Sequence, residues 1–200
     1  MLMKPILATL LFAMATTAGA ALEIGEPAPG FTGIDTSGKS HALSDFRGKP
    51  VVLEWTNHDC PYVRKHYSSG NMQRQQQTAT GQGVVWLSII SSAPGKQGHV
   101  TPAQADALTA ERNAAPSAVI LDEKGEIGRL YEAKTTPHMY IIDPEGKLIY
   151  AGGIDDTKST KVKDVETATN YVSAALDAAM AGKKVEIQTA TPYGCSVKYK

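Results

Sequence analysis

Short apolar runs alternate with stretches of helical spacing along most of the chain. Val51-Val52-Leu53-Glu54-Trp55 follows the breaker Gly48-Lys49-Pro50 and predicts a strand. The spacing over residues 62–79 then predicts a helix, with Pro61 at the first helical position, where a missing N–H leaves no bond unmade. Residues 84–90 predict a second buried strand. Pro94, Gly95 and Gly98 mark a loop over 91–98, and Thr101 caps a polar, Ala-rich helix reaching Asn113. Residues 117–121 predict a third strand and 125–133 a short helix or turn. Residues 138–142 and 147–152 flank Asp143-Pro144-Glu145-Gly146, a tight-turn sequence, and so predict an antiparallel hairpin. The spacing of Val165, Ala168, Val172, Leu176 and Ala179 predicts a final helix over 162–180. Ahead of these, residues 31–43 predict a small hairpin turning at Thr36-Ser37-Gly38-Lys39, and residues 183–200 read as a tail.

This order implies a layered α/β domain. A β–α–β unit is followed by a β-hairpin and a closing helix. An amino-terminal hairpin precedes it, and a helix and strand are inserted between the halves.

The first twenty residues differ in kind. Lys4 precedes an apolar stretch over 6–15, and Thr16-Thr17-Ala18-Gly19-Ala20 ends in the small-x-small pattern of a signal-peptidase site. The expectation is a leader over 1–20 cleaved near Ala20, a domain over 21–182, and a tail over 183–200 carrying Cys195. The apolar run is short for a bilayer span, which sets the leader above a signal anchor. The mature protein is expected in the periplasm or secreted, without membrane insertion. Twenty basic residues balance twenty acidic ones, which gives no electrostatic case for nucleic acid or an anionic membrane patch. Export also changes how the two cysteines, Cys60 and Cys195, are read. In an oxidising compartment they are expected to be paired, catalytic, or both.

Cys60 falls just after the first predicted core strand, at the start of a helix, in Trp55-Thr56-Asn57-His58-Asp59-Cys60-Pro61-Tyr62-Val63. Free backbone N–H groups and the helix dipole stabilise a thiolate there. Arg64, Lys65 and His66 add positive charge one turn on and Asp59 opposes it, so the thiol pKa is expected to be lowered.

These residues resemble the thioredoxin superfamily, and more narrowly the peroxiredoxin-like, single-domain redoxins of the AhpC/TSA group. The resemblance rests on Asn57-His58-x-Cys60-Pro61-Tyr62-Val63, Thr136-Pro137, Gly153-Ile154-Asp155-Asp156 and Gly194-Cys195-Ser196-Val197-Lys198-Tyr199. It implies a thioredoxin-like fold with Cys60 at the position of the first motif cysteine. Glu54 falls on the buried acid that relays protons, and Thr136-Pro137 on the cis-proline loop against the thiol. Pro61, Tyr62 and His58 are expected to flank the substrate. The second motif cysteine is replaced by Val63, so Cys195 is the one thiol left in the chain to resolve a mixed disulfide. The positions that orient peroxide in peroxiredoxins hold Leu53, Asn57 and Pro137, which disfavours strong peroxidase activity.

The resemblance thus implies a thiol–disulfide oxidoreductase acting on a protein disulfide or a small oxidant. Cys60 attacks the substrate disulfide and Cys195 releases the product. An external thiol or a membrane-linked reductant supplies electrons, and no cofactor or metal is called for. A weak thiol peroxidase is the first alternative. The second is a non-catalytic binding or scaffold protein in which a Cys60–Cys195 bridge only staples the tail, worth about 4–5 kcal/mol for a loop of about 135 residues. A copper or zinc site built from Cys60, His58, His66 and His138 has no ligand spacing to support it.

Overall fold

A computed structural model describes residues 22–200, and the expected leader lies outside the described residues. Five strands form the central sheet: β3 (Val51–Trp55), β4 (Val85–Ile90), β5 (Ala118–Leu121), β7 (His138–Ile142) and β8 (Leu148–Gly152). Their order is β5-β4-β3-β7-β8, with β3, β4 and β5 parallel and β7 and β8 antiparallel to their neighbours. The predicted 138–152 hairpin therefore forms the antiparallel half. The amino-terminal hairpin is β1 (Thr32–Ile34) and β2 (Ser40–Ala42), turning where expected. This is the thioredoxin-like arrangement, and its inserted helix–strand is α3 (Pro102–Glu111) followed by β5.

Strand β3 is buried along its whole length and lies in the middle of the sheet, so its alternate side chains enter two different cores. Val52 joins Val63, Met72, Trp86, Ile141 and Val172 beneath α1 (Pro61–Ser68), α2 (Asn71–Gly81) and α5 (Tyr171–Met180). Val51, Leu53 and Trp55 join Phe31, Leu43 and Tyr131 on the opposite face, under the hairpin and α4 (Glu126–Leu130). Both faces are thus covered, and the end of β3 projects the following loop from the middle of the sheet.

Three sequence expectations differ. The single helix over 62–79 is two helices, because Gly70 adopts the left-handed region (φ 69°) between α1 and α2. The helix over 162–180 is shorter at its start. Residues Val162–Val165 form only a 3-10 turn, and α5 begins after Asn170, whose side chain accepts the Ser173 N–H at 2.9 Å. The segment read as a tail is packed into the domain. Val185 and Tyr193 are buried in the helical-face core, and β9 (Cys195–Ser196) pairs antiparallel with β6 (Thr135–Thr136), with Cys195 opposite Thr136.

Candidate functional site

The loop leaving β3 is set by its own side chains. The Asn57 carbonyl accepts the Cys60 N–H at 3.0 Å, and its side-chain oxygen accepts the Asp59 N–H at 2.9 Å. Asn57 also donates to the Gln97 carbonyl at 3.3 Å, fixing the loop to the segment after β4. Cys60 becomes the N-cap of α1 with Pro61 at N1, and its carbonyl accepts the Arg64 N–H at 2.9 Å. Its side chain is 0 % exposed and points at the Thr136–Pro137 peptide, to whose Thr136 carbonyl the thiol donates at 3.1 Å. That peptide bond is cis, as the resemblance implied.

Across the β6–β9 pair lies the second cysteine. Both are free thiols, and Cys195 is half-buried, paired with Thr136 across the two strands and packed against the core cluster that holds Cys60. Burial alone raises the Cys60 pKa. The Cys195 thiol, the backbone N–H groups of Val63 and Cys195, and the Thr136 hydroxyl outweigh it, and the net shift is downward. That hydroxyl is buried without another partner and so is available to turn toward the sulfur. Burial and the Cys60 thiolate push Cys195 up to about 11. The two thiols therefore differ in acidity, Cys60 being the more acidic of the pair.

The expected positive charge beyond Cys60 is largely cancelled, which corrects the cause of the lowered pKa. Arg64 pairs with Asp59 at 3.2 Å and donates to the His58 carbonyl. Burial, with Lys65 adding to it and Asp155 opposing, lowers the His66 pKa to about 4, so His66 is neutral at pH 7. Lys65, 1 % exposed, is neutralised by Asp155 at 3.4 Å. The thiolate is stabilised by adjacent donors and not by a cationic helix face.

Lys65 belongs to a buried polar hub that sequence reasoning missed. Its ammonium also donates to the Thr157 carbonyl at 2.9 Å and the Tyr193 hydroxyl at 3.0 Å. Tyr193 donates in turn to Asp155. Asn71 donates to His66 Nδ1 at 2.9 Å, which assigns the proton to Nε2 and directs it at the Tyr193 oxygen, 3.3 Å away. Tyr62 packs edge-on to Tyr193 with ring centres 5.7 Å apart. The hub joins α1, the 153–157 loop and the segment leading to Cys195. The one sequence signal was the pairing of Gly153-Ile154-Asp155-Asp156 with the Cys195 motif in the resemblance.

The other expected site residues are placed as follows. Glu54 is fully buried and accepts from Tyr67 (2.8 Å), Gln76 (3.0 Å), Trp86 (2.8 Å) and Ser88 (2.9 Å). Burial nonetheless raises its pKa above the ordinary carboxylate value. None of its four donors is Cys60, although Tyr67 and Ser88 line a narrow cleft also bordered by His58, Thr56 and Arg112. Thr136 and Pro137 are buried and covered by residues 194–196, whereas Pro61 is exposed and Tyr62 half-buried. Burial, with Lys134 adding to it, lowers the His138 pKa to about 3, and its Nδ1 contacts the Lys134 N–H and the Tyr140 hydroxyl. Among the described residues no group of three His, Cys, Asp or Glu side chains converges. Leu53 is core, and Arg64 and Arg112 both reach the His58 carbonyl rather than the thiol.

The AhpC/TSA family model matches residues 24–151. The thiol-disulfide oxidoreductase ResA of Geobacillus kaustophilus is 25 % identical over 135 residues, covering 64 % of this chain and 68 % of the relative. The ResA of Bacillus thuringiensis is 27 % identical over 128 residues with the same coverage. Among solved structures, an uncharacterised conserved protein from Geobacillus kaustophilus superposes with a TM-score of 0.76 at 25 % identity, covering 90 % of this chain and 93 % of that one. A putative thiol:disulfide interchange protein DsbE from Chlorobium tepidum superposes with a TM-score of 0.52 at 25 % identity, over 66 % of this chain and 85 % of that one.

Proposed function

This chain belongs to the AhpC/TSA family, and from that premise we propose that it is a thiol–disulfide oxidoreductase whose working pair is Cys60 and Cys195. The observation that carries the reading is that two thiols about 135 residues apart meet at Thr136, Cys60 bonded to its carbonyl and Cys195 paired opposite it, one with a lowered and one with a raised pKa. Cys60 supplies the stabilised thiolate, the nucleophile that closes a Cys60–Cys195 disulfide. A proton passed to that thiolate removes the charge that holds Cys195 protonated, so in the reduced protein the two sulfurs titrate as a linked pair. The thiol–disulfide oxidoreductases it resembles support a substrate that is itself a disulfide, in a protein or a small oxidant. An external thiol or a membrane-linked reductant returns the electrons. Tyr62, Pro61 and His58 border the substrate, behind which Thr136 and Pro137 hold the sulfur of Cys60. Glu54 is the buried acid that takes up and returns a proton, through the hydroxyls of Tyr67 and Ser88 in the adjoining cleft.

We further propose that residues 1–20 direct export and that residues 21–200 work outside the cytoplasm, where a redox-active disulfide persists. Among the described residues no helix is long and apolar enough to cross a membrane. The test is a titration in glutathione redox buffers with acid quenching. One two-electron conversion between dithiol and Cys60–Cys195 disulfide is expected, at a potential between roughly −270 and −120 mV. Reduction of a protein disulfide is expected to vanish in Cys60→Ser. Full activity in Cys60→Ser, or a bridge that resists every buffer, refutes the assignment.

A further inference from the structure

We propose that external thiols enter and leave the redox cycle at Cys195, while Cys60 stays behind it and only opens and closes the internal disulfide. The proposal rests on Cys60 and Cys195 being the working pair, and it reverses the order of attack expected from the sequence.

Three observations carry it. First, Cys60 is 0 % exposed and belongs to the helical-face core with Val52, Val63 and Met139, whereas Cys195 is half-buried. Second, the chain's own β9 covers the Thr136–Pro137 loop, which the resemblance makes the substrate-facing surface. Third, the cover is fastened on both sides of Cys195. Upstream, Tyr193 is tied to Lys65, His66 and Asp155. Downstream, the Val197 N–H donates to the Lys134 carbonyl at 3.1 Å, the Ala93 N–H to the Lys198 carbonyl at 2.9 Å, and the Tyr199 hydroxyl to the Ala133 carbonyl at 2.8 Å. Exposure of Cys60 would require these bonds to part together. Cys195 keeps partial exposure with all of them in place.

The chemistry balances along this route. In the oxidised protein an incoming thiolate attacks Cys195 Sγ, the Cys60–Cys195 bond breaks, and the electron pair departs on Cys60 Sγ. That sulfur emerges where the Val63 and Cys195 N–H groups already point, so the donors lie where charge develops. A second thiolate attacks the outer sulfur of the mixed disulfide, releasing a small disulfide and Cys195, which takes up a proton. In the opposite direction Cys195 passes its proton to the Cys60 thiolate, attacks a substrate disulfide and expels one half as a thiolate, which takes that proton from Cys60. Cys60 then attacks Cys195 Sγ, the internal bridge forms, and the other half leaves. Exchange is faster when the departing thiol is the more acidic one, and the direction of attack matches that preference.

The test compares Cys60→Ser and Cys195→Ser, each mixed with oxidised glutathione at pH 7.5, acid-quenched and mapped by mass. Cys195 in the first variant is expected to take up glutathione at least tenfold faster than Cys60 in the second. An equal or faster reaction at Cys60, or no reaction at Cys195, overturns the proposal. Should either variant fail to fold, oxidised wild type is mixed with reduced glutathione and quenched early. Glutathione on Cys195 is the expected adduct, and glutathione on Cys60 overturns the proposal. An oxidised wild type with no Cys60–Cys195 bridge refutes the working pair itself, a result separate from either adduct.

Discussion

Tyr193→Phe removes one oxygen from the hub that fastens the Cys195 segment and leaves the aromatic packing on Tyr62 in place. Three interactions end at that oxygen: donation to the Asp155 carboxylate, acceptance from the Lys65 ammonium, and the contact with His66 Nε2. The Lys65–Asp155 pair survives, as does the bond from Lys65 to the Thr157 carbonyl, so neither charge is left alone. The main loss is a hydrogen bond to a buried charged group, worth about 1.5–3 kcal/mol. For a domain of this size each kcal/mol shifts Tm by about 2–4 °C, so the reduced variant is expected to melt roughly 3–12 °C below wild type. Circular dichroism on fully reduced protein measures this directly. Amide exchange should localise the loss, with protection falling over residues 191–197 more than along β3 and β4. A Tm unchanged within about 1 °C would mean that the hub does not hold the segment and that Cys60 is not kept covered by it.

Other consequences follow from the same geometry. His66 and His138 have folded pKa values of about 4 and about 3, below the ordinary histidine value, chiefly through burial. As pH falls from 6.5 to 4 the unfolded chain takes up two protons that the folded chain refuses. Stability should therefore drop by up to about 2.7 kcal/mol per pH unit, readable in urea midpoints; midpoints that hold constant from pH 7 to 5 contradict this. Gly194 has φ 142°, and a Cβ there would overlap the Thr136 carbonyl oxygen, the acceptor of the Cys60 thiol. Gly194→Ala should displace β9, cost about 2 kcal/mol or more, and lower the yield of internal disulfide in a glutathione buffer; a normal yield shows that the close approach is not needed. Cys195→Ala deletes the thiol that donates to the Cys60 thiolate, so the Cys60 pKa should rise, followed by thiolate absorbance near 240 nm against pH; an unchanged titration removes Cys195 from the stabilising set.

The strands were legible because each is a compact apolar run bounded by Gly, Pro or Asp, and β3, β4, β7 and β8 appear within a residue of where the pattern places them. Cys60 was legible for the same reason, since a strand followed by Cys-Pro fixes an N-cap whatever the rest of the fold does. The break at Gly70 was harder to see, because helical spacing continues through it and only the backbone conformation reveals the stop. The closing helix was overextended because Val165 and Ala168 continue its stripe, while the Asn170 cap that starts it is a single polar residue. Least legible was the carboxyl-terminal segment. Its two-residue strand has no periodicity, and its place depends on tertiary pairing with Thr135–Thr136. The burial of Lys65 was hidden too, because a lysine on an amphipathic helix is ordinarily solvated and its partner Asp155 lies 90 residues away.

Peptide mapping of the purified protein before and after mild reductant tests the central claim most directly. The account predicts one Cys60–Cys195 peptide pair in the oxidised protein, replaced by two free thiols under a reductant of moderate potential and restored by a small disulfide. Two thiols that remain free under oxidising buffer, or a bridge that survives strong reductant in the folded state, would contradict it.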